Sequence, residues 1–235
     1  MIPDWLHFLI NPDILSRYGW KFVDGFFVTL KLVALSYTIG FLLSIMITFA
    51  WRSKHRALLY PARAYIYFFR GSPLLAQLFL FYYGIGSFSN FWQSVGMWWF
   101  FHSSWWCCLF IFSLNTAAYQ AEILRGSMQS VPSGQYEAAK ALGLSKRTTF
   151  IRVILPQSMI MALRPLGNEF ILMIKASAVA SLVTVYDLMG VAKLAYSRTF
   201  DFQVYIWAAV LYLLIVEVVR RLIGLTEQRL TRHLR

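Results

Sequence analysis

"FFVTLKLVALSYTIGFLLSIMITFA", residues 26–50, carries a single charged side chain, Lys31. A helix needs about 20 mostly apolar residues to cross a hydrocarbon core about 30 Å thick. The stretch therefore reads as a membrane-spanning helix, and lipid as the solvent of the chain. Composition agrees. The 235 residues are 59% hydrophobic and 14% charged, with mean hydropathy +0.57, whereas a soluble domain averages about 45–50% apolar and about 25% charged. Aromatics make up 18%, with nine Trp, as interfacial belts require.

Working outward, apolar runs predict five spans, at roughly 23–50, 72–91, 97–121, 158–184 and 203–224,. The charges between them are segregated. After the first span come Arg52, Lys54, Arg56, Arg63 and Arg70 with no acid, and residues 122–152 carry Arg125, Lys140, Lys146, Arg147 and Arg152 against Glu122 and Glu137. The tail adds Arg220, Arg221, Arg229, Arg232 and Arg235 against Glu217 and Glu227. On the other side, 84–104 is uncharged and 187–201 balances Asp187 and Asp201 with Lys193 and Arg198. The positive-inside rule then predicts the N-terminus outside and the C-terminus in the cytoplasm, which five spans satisfy.

This segregation also accounts for the net charge of +12. The cations are divided among short connections where topology explains them, so nucleic acid is excluded as a partner. The start, residues 1–21, has Asp4 where a cleavable signal would be basic, so insertion is expected to rely on the spans themselves,. Cys107 and Cys108 are adjacent in an apolar run and read as small buried hydrophobes. His7, His55, His102 and His233 are scattered, and no metal site is expected from them. Residues 57–70, "LLYPARAYIYFFR" with its preceding Ala57, read as a short amphipathic helix along the inner interface. Residues 87–106, rich in Trp, belong at the outer headgroup level. With no repeat or linker visible, residues 1–235 form one transmembrane domain, and its cytoplasmic connection spans 126–157.

That connection contains "EAAKALGLSKRTTFIRVILP", residues 137–156. Its first part is a good helix former, Gly143 suits the left-handed conformation that ends a helix, and Ser145 is an N-cap for the next. Pro156 is expected to break the pattern just before the fourth span. The outcome is a helix, a glycine corner and a second helix, with Ala138 and Ala139 small enough for close approach by another protein.

The string resembles the "EAA" loop of binding-protein-dependent ABC importers, whose pattern is E-A-A, three residues, G, nine residues, I, one residue, L-P. Here Glu137, Ala138, Ala139, Gly143, Leu155 and Pro156 match, with Val153 in place of Ile. The resemblance runs from about residue 22 to the C-terminus. Residues 65–84, 114–143 and 166–190 are similar to the polar amino-acid subfamily, which includes histidine, glutamine, arginine and opine permeases. After Lys175 the sequence departs: Ala176-Ser177-Ala178-Val179 stands where many relatives have Asp-Thr-Ser-Leu.

The resemblance implies an all-α ABC importer type I permease core of about five helices in the bacterial inner membrane. It implies a second permease subunit, identical or paralogous, two ATP-binding cassette subunits that hold ATP and Mg, and a periplasmic solute-binding protein. The loop is then the coupling element. The residues agree in one respect: the chain lacks the G-x-x-x-x-G-K-[ST] phosphate loop and is not expected to bind a cofactor or hydrolyse ATP by that route. A self-sufficient secondary transporter or channel is the alternative class. It calls for inverted repeats or more spans, with ion-coupling residues in broken helices.

Ionisable groups inside a membrane are costly and usually functional. In the fourth span, Arg164, Asn168 and Lys175 fall within about 40° on a helical wheel at about 100° per residue, and Glu169 lies about 140° away. Asn168 and Glu169 come near mid-membrane and are candidates for the substrate path, with Lys175. Glu169 is equally readable as an internal pair with Arg164 or Lys175. Asn115, with Thr116, is either interhelical glue or a ligand contact. Arg70, Gly71, Ser72 and Pro73 read as a helix break, or as a corner that shapes the inner gate. Lys31 is expected to snorkel, and Glu122 to pair with Arg125 three residues on.

Overall fold

The computed structural model describes residues 11–230. The expectations for the first residues, for His7, and for Arg232, His233 and Arg235 of the tail lie outside them. Among the described residues the regular structure is helical throughout.

The first helix, α1 (Pro12–Trp51), begins at Asn11, whose side chain accepts from the Asp13 N–H, with Pro12 in the first turn. At 40 residues it is about 60 Å long at about 1.5 Å per residue, longer than a bilayer core, and starts well before the predicted residue 23. Its buried face is a stripe of small residues that includes Gly25, Thr29, Ser36, Gly40, Ser44 and Thr48. Helices in lipid gain little from apolar burial against one another and associate through close packing instead. From Gly40 to Thr48 the stripe packs on α6 (Ser104–Gln129), while Gly25 and Thr29 face residues 187–191. A Cβ at Gly40 would collide with Thr116 Cγ2 and lie 3.1 Å from the Ser113 carbonyl oxygen. The hydroxyls spend their donors locally, Ser36 on Leu32 O at 2.6 Å and Thr48 on Ser44 O at 2.7 Å.

The amphipathic helix α2 (Arg56–Gly71) forms as the sequence predicts, and it packs along α6. Tyr65 donates to Leu114 O at 2.6 Å, and Asn115 Nδ2 donates to Phe69 O at 3.2 Å. Leu114 and Asn115 are halfway along α6, so α2 climbs beside it. The chain breaks at Ser72-Pro73 and resumes as α3 (Leu74–Phe79), running through a π-helical turn and a 3-10 turn to Ser87. The predicted span at 72–91 thus falls on the second part of one broken helical element, 56–87.

Two short helices, α4 (Ser89–Ser94) and α5 (Trp98–Phe101), cap this end with aromatic rings; Trp92 stacks on Phe101 with centroids 3.9 Å apart. At the opposite, basic end lie α7 (Ser133–Ala141) and α8 (Lys146–Thr149). A π-helical turn at Phe150–Ile154 then leads into α9 (Leu155–Ala176), which ends in a 3-10 stretch, Ser177–Val183. Pro156 does not interrupt this helix. It occupies its first turn, where the missing N–H costs least, behind the widened π turn,.

Residues 187–201, read from sequence as a balanced loop, contain the helix α10 (Leu188–Thr199), capped by buried Asp187. The last helix, α11 (Gln203–Leu230), crosses α9 closely at Gly167, where a Cβ would meet Ile223. By length and composition α1, α6 and the continuous Lys146–Val183 helix qualify as spans among the described residues, and Leu74–Ser87 is apolar but shorter. The main core, including Leu32, Leu78, Phe112, Ile174, Val183 and Leu188, fills the aromatic half. The basic half has only a small cluster around Leu124, Ala162 and Leu166.

Candidate functional site

The motif residues at the basic end adopt the corner that their chemistry favours. Gly143 has φ +69°, its N–H bonds Lys140 O at 3.0 Å, and the Leu144 N–H reaches back to Ala139 O at 3.0 Å. These bonds satisfy the last carbonyls of α7 in the way a glycine-terminated helix allows. Ser145 caps α8, its side chain accepting from Thr148 N at 3.2 Å. Ala139 is buried against the body, whereas Glu137, Ala138, Gly143 and Pro156 are exposed and Leu155 half-buried. The face of α7 that carries Glu137 and Ala138 is therefore open. Phe49 of α1 meets Phe150, just after α8, edge-on at 6.2 Å. The corner consequently touches the end of the first long helix as well as the start of α9.

The Arg70–Pro73 break is built around one carbonyl. Pro73 has no N–H for Phe69 O, four residues back, so that oxygen loses its helical partner. Gln77 Nε2 supplies one replacement at 3.0 Å and Asn115 Nδ2 another at 3.2 Å. Gln77 also donates to Ser72 O and Ser72 Oγ, and Asn115 bonds Gln77 Oε1 at 2.9 Å. The break is hence tied to the middle of α6 through two buried amides. Arg70 turns back toward the basic end, over the Tyr119 ring at 5.6 Å and 3.7 Å from Glu122. Glu122 also forms the expected pair with Arg125, whose Nε donates to it at 2.8 Å.

The polar groups of α9 divide by face. Arg164, Asn168 and Lys175 are exposed along one side with Met161 and Leu172, as their angular spacing predicts. Glu169 points the other way and is buried, with Thr116 Oγ1 donating to its Oε1 at 3.1 Å. Thr116 in turn accepts from Gln120 Nε2 at 3.2 Å, and the same amide reaches Tyr37 O at 3.3 Å. Neither reading of Glu169 as an ion pair with Arg164 or Lys175 within this chain is realised. Arg164 pairs with Glu227 of α11 at 2.7 Å. Asn115 also faces inward, so of the four path candidates Asn168 and Lys175 share an open face, and Glu169 and Asn115 lie in polar seams behind it.

Sequence reasoning missed Gln77, Gln120, Asp187 and Tyr212. Asp187 Oδ1 accepts from Gly190 N at 2.8 Å, and Tyr212 donates to its Oδ2 at 3.1 Å. Leu188 N donates to Thr29 Oγ1 at 3.0 Å. Together these bonds fasten α10 to α1 and α11. An acidic residue one position before an apolar helix-forming run is the cap signal that marks Asp187 in the sequence. The open groove beside α10, about 570 Å³, is lined by Lys193, Met189, Tyr205 and Ala178 and adjoins a second of about 330 Å³ at Lys175.

Residues 36–232 match the family described as binding-protein-dependent transport system inner membrane component. The nopaline transport system permease protein NocM of Agrobacterium fabrum is 41% identical over 208 residues, covering 88% of this chain and 86% of that protein. The arginine ABC transporter permease protein ArtM of Escherichia coli K12 is 34% identical over 176 residues, 75% of this chain and 79% of that protein. A crystal structure of an amino acid ABC transporter with histidines superposes with a TM-score of 0.82 at 34% identity, over 97% of this chain and all of the other.

Proposed function

The chain belongs to the family of binding-protein-dependent transport system inner membrane components, and from that premise we propose that it is the permease subunit of an ATP-driven importer for a polar amino acid. ATP hydrolysis belongs to a separate subunit, and this chain provides the membrane path. The favoured substrate class is a basic amino acid, histidine or an opine, in keeping with the relatives named nopaline and arginine permeases.

The observation that carries the reading is the corner at Gly143. A short helix with an exposed Glu137–Ala138 face, held rigidly at the basic end, is a handle for a motor. In this reading α7 docks in a groove of an ATP-binding cassette subunit, one under each of two permeases, with ATP and Mg held by the ATPases. Closure of the ATPase pair then pulls on α1 through Phe49–Phe150 and on α9 through the continuous helix. Five crossings, α1, α2 with α3, α6, α9 and α11, leave the N-terminus outside and the basic end in the cytoplasm. A periplasmic solute-binding protein delivers substrate to the aromatic end.

Asn168 and Lys175 line the path in this proposal. An exposed ammonium on that face suits the carboxylate that every amino acid and opine carries, and an amide suits either end of a zwitterion. Glu169 and Asn115 act one layer behind, keeping α9 and the α2–α3 break seated on α6. The direct test is ATPase activity of the assembled transporter in nanodiscs with its binding protein, screened over the amino acids and opines. Stimulation by a cationic amino acid or an opine, abolished by Gly143→Asp with the spans still inserted, is the expected result. Full uptake by Gly143→Asp would overturn the coupling role.

A further inference from the structure

At the basic end, the Trp51 ring is held between two guanidinium groups, Arg63 at 5.0 Å and Arg125 at 4.7 Å from its centroid. The two arginines are not equivalent. Arg125 is engaged through all three nitrogens: Nε and Nη2 donate to Glu122 and Nη1 to Gln129 Oε1 at 2.6 Å. Arg63 has no ion pair or hydrogen bond from its guanidinium among the described residues, so its five donors are uncommitted there,. On this side of Trp51 a cleft of about 410 Å³ opens between Arg63 and Arg70, lined also by Ile66, Tyr67 and, at its α6 edge, Glu122.

The charge in this region is unbalanced. Arg52, Arg63, Arg70 and Arg125 surround Trp51, and the carboxylate facing them is Glu122, which Arg125 engages with two donors and Arg70 pairs with at 3.7 Å, leaving Arg63 without an acidic partner among the described residues. Arg52 contributes only a contact to Met128 Sδ at 3.3 Å. Along α2, Tyr60, Arg63, Tyr67 and Arg70 recur at spacings of three, four and three, which puts two exposed tyrosines in line with the two arginines,. Tyrosine and arginine on one helix stripe suit the level where headgroups meet acyl chains, and basic clefts between membrane helices take anionic headgroups.

We propose that the cleft between Arg63 and Arg70, walled by Trp51, binds the phosphate headgroup of an anionic phospholipid. Arg63 would donate a forked pair of hydrogen bonds to the phosphate while its other face stays on the indole ring, a geometry that Arg provides and Lys does not. Because Arg63 and Arg70 both belong to α2 and Trp51 ends α1, a bound phosphate would fasten α2 to the end of α1 in the half of the protein with the smaller core cluster.

The test uses the assembled transporter with its ATPase subunits, equilibrated in nanodiscs of phosphatidylcholine with phosphatidylglycerol, and counts retained lipid by native mass spectrometry. Wild type is expected to retain phosphatidylglycerol over phosphatidylcholine, and Arg63→Gln to lower that retention about fivefold, the worth of one cation near the surface. Arg198→Gln at the opposite end is expected to leave it unchanged. Unaltered retention in Arg63→Gln overturns the proposal. So does displacement of the lipid by millimolar inorganic phosphate, which would make this a free-anion site, or carbodiimide-independent crosslinking of position 63 to a neighbouring subunit in the native assembly, which would make it a protein interface.

Discussion

Asn115 Nδ2 donates to the backbone carbonyl of Phe69, the group that Pro73 deprives of its helical partner, at 3.2 Å. A kink in one helix is thereby written into the side-chain chemistry of another. Replacing Asn115 by Leu leaves Gln77 Oε1 without its 2.9 Å donor as well. Removing one partner from a buried polar pair costs about 1–3 kcal/mol. Asn115→Leu should lower the unfolding temperature in detergent measurably, and Gln77→Leu on its own should do likewise. Unchanged melting in both would mean that the amides do not hold the break.

At Gly40, α1 approaches α6 closely. A Cβ there would strike Thr116 and press on the Ser113 carbonyl, and overpacking of this kind costs about 1–3 kcal/mol. Because Thr116 is also the donor to Glu169, Gly40→Val should disturb that hydrogen bond too. The expected outcome is lower thermal stability and reduced uptake together, with Gly126→Val, where nothing lies within 4 Å, as a tolerant comparison. Equal behaviour of the two variants would count against close packing at Gly40.

The split between the two faces of α9 separates binding from packing. Lys175→Gln is expected to raise the substrate concentration for half-maximal uptake about tenfold, the effect of losing one charge-assisted contact of about 1.5 kcal/mol, with little change in melting temperature. Thr116→Val, which removes the donor to Glu169, should instead lower stability, and Thr116→Ser should restore it. If Thr116→Val altered substrate preference with no loss of stability, Glu169 would belong to the path.

Asp187 holds α10 through its cap bond to Gly190 N and its bond from Tyr212. Loss of an N-cap costs about 0.5–2 kcal/mol. Asp187→Ala should therefore destabilise more than Tyr212→Phe, and Asp187→Asn, which retains a capping oxygen, should fall nearest to wild type. Comparable melting temperatures for Asp187→Ala and wild type would show that the cap is dispensable.

Much of this is legible in residues alone. The apolar run at 26–50, the segregation of Arg and Lys, and the fixed spacing from Glu137 to Pro156 act over short distances, through solvent preference and backbone sterics. Their consequences, long helices and a left-handed Gly143, follow without knowledge of the rest of the chain. The angular spacing of Arg164, Asn168 and Lys175 likewise predicts their common face.

Partners distant in sequence were not legible. Glu169 finds Thr116 across 53 residues, and Asn115 finds Gln77 across 38. Nothing local distinguishes an inward carboxylate from one on a path. The same limit hid the packing of α2: its amphipathic pattern does not say which helix it lies along, and the Tyr65 and Asn115 hydrogen bonds decide for α6.

The sequence by itself determined the solvent, the helices and the corner at Gly143, because hydrophobicity, helix periodicity and glycine's backbone freedom are properties of near neighbours. The tertiary structure alone decided which polar groups are spent inside the chain and which stay open, because a buried donor or acceptor must be satisfied by whatever helix packing brings within reach.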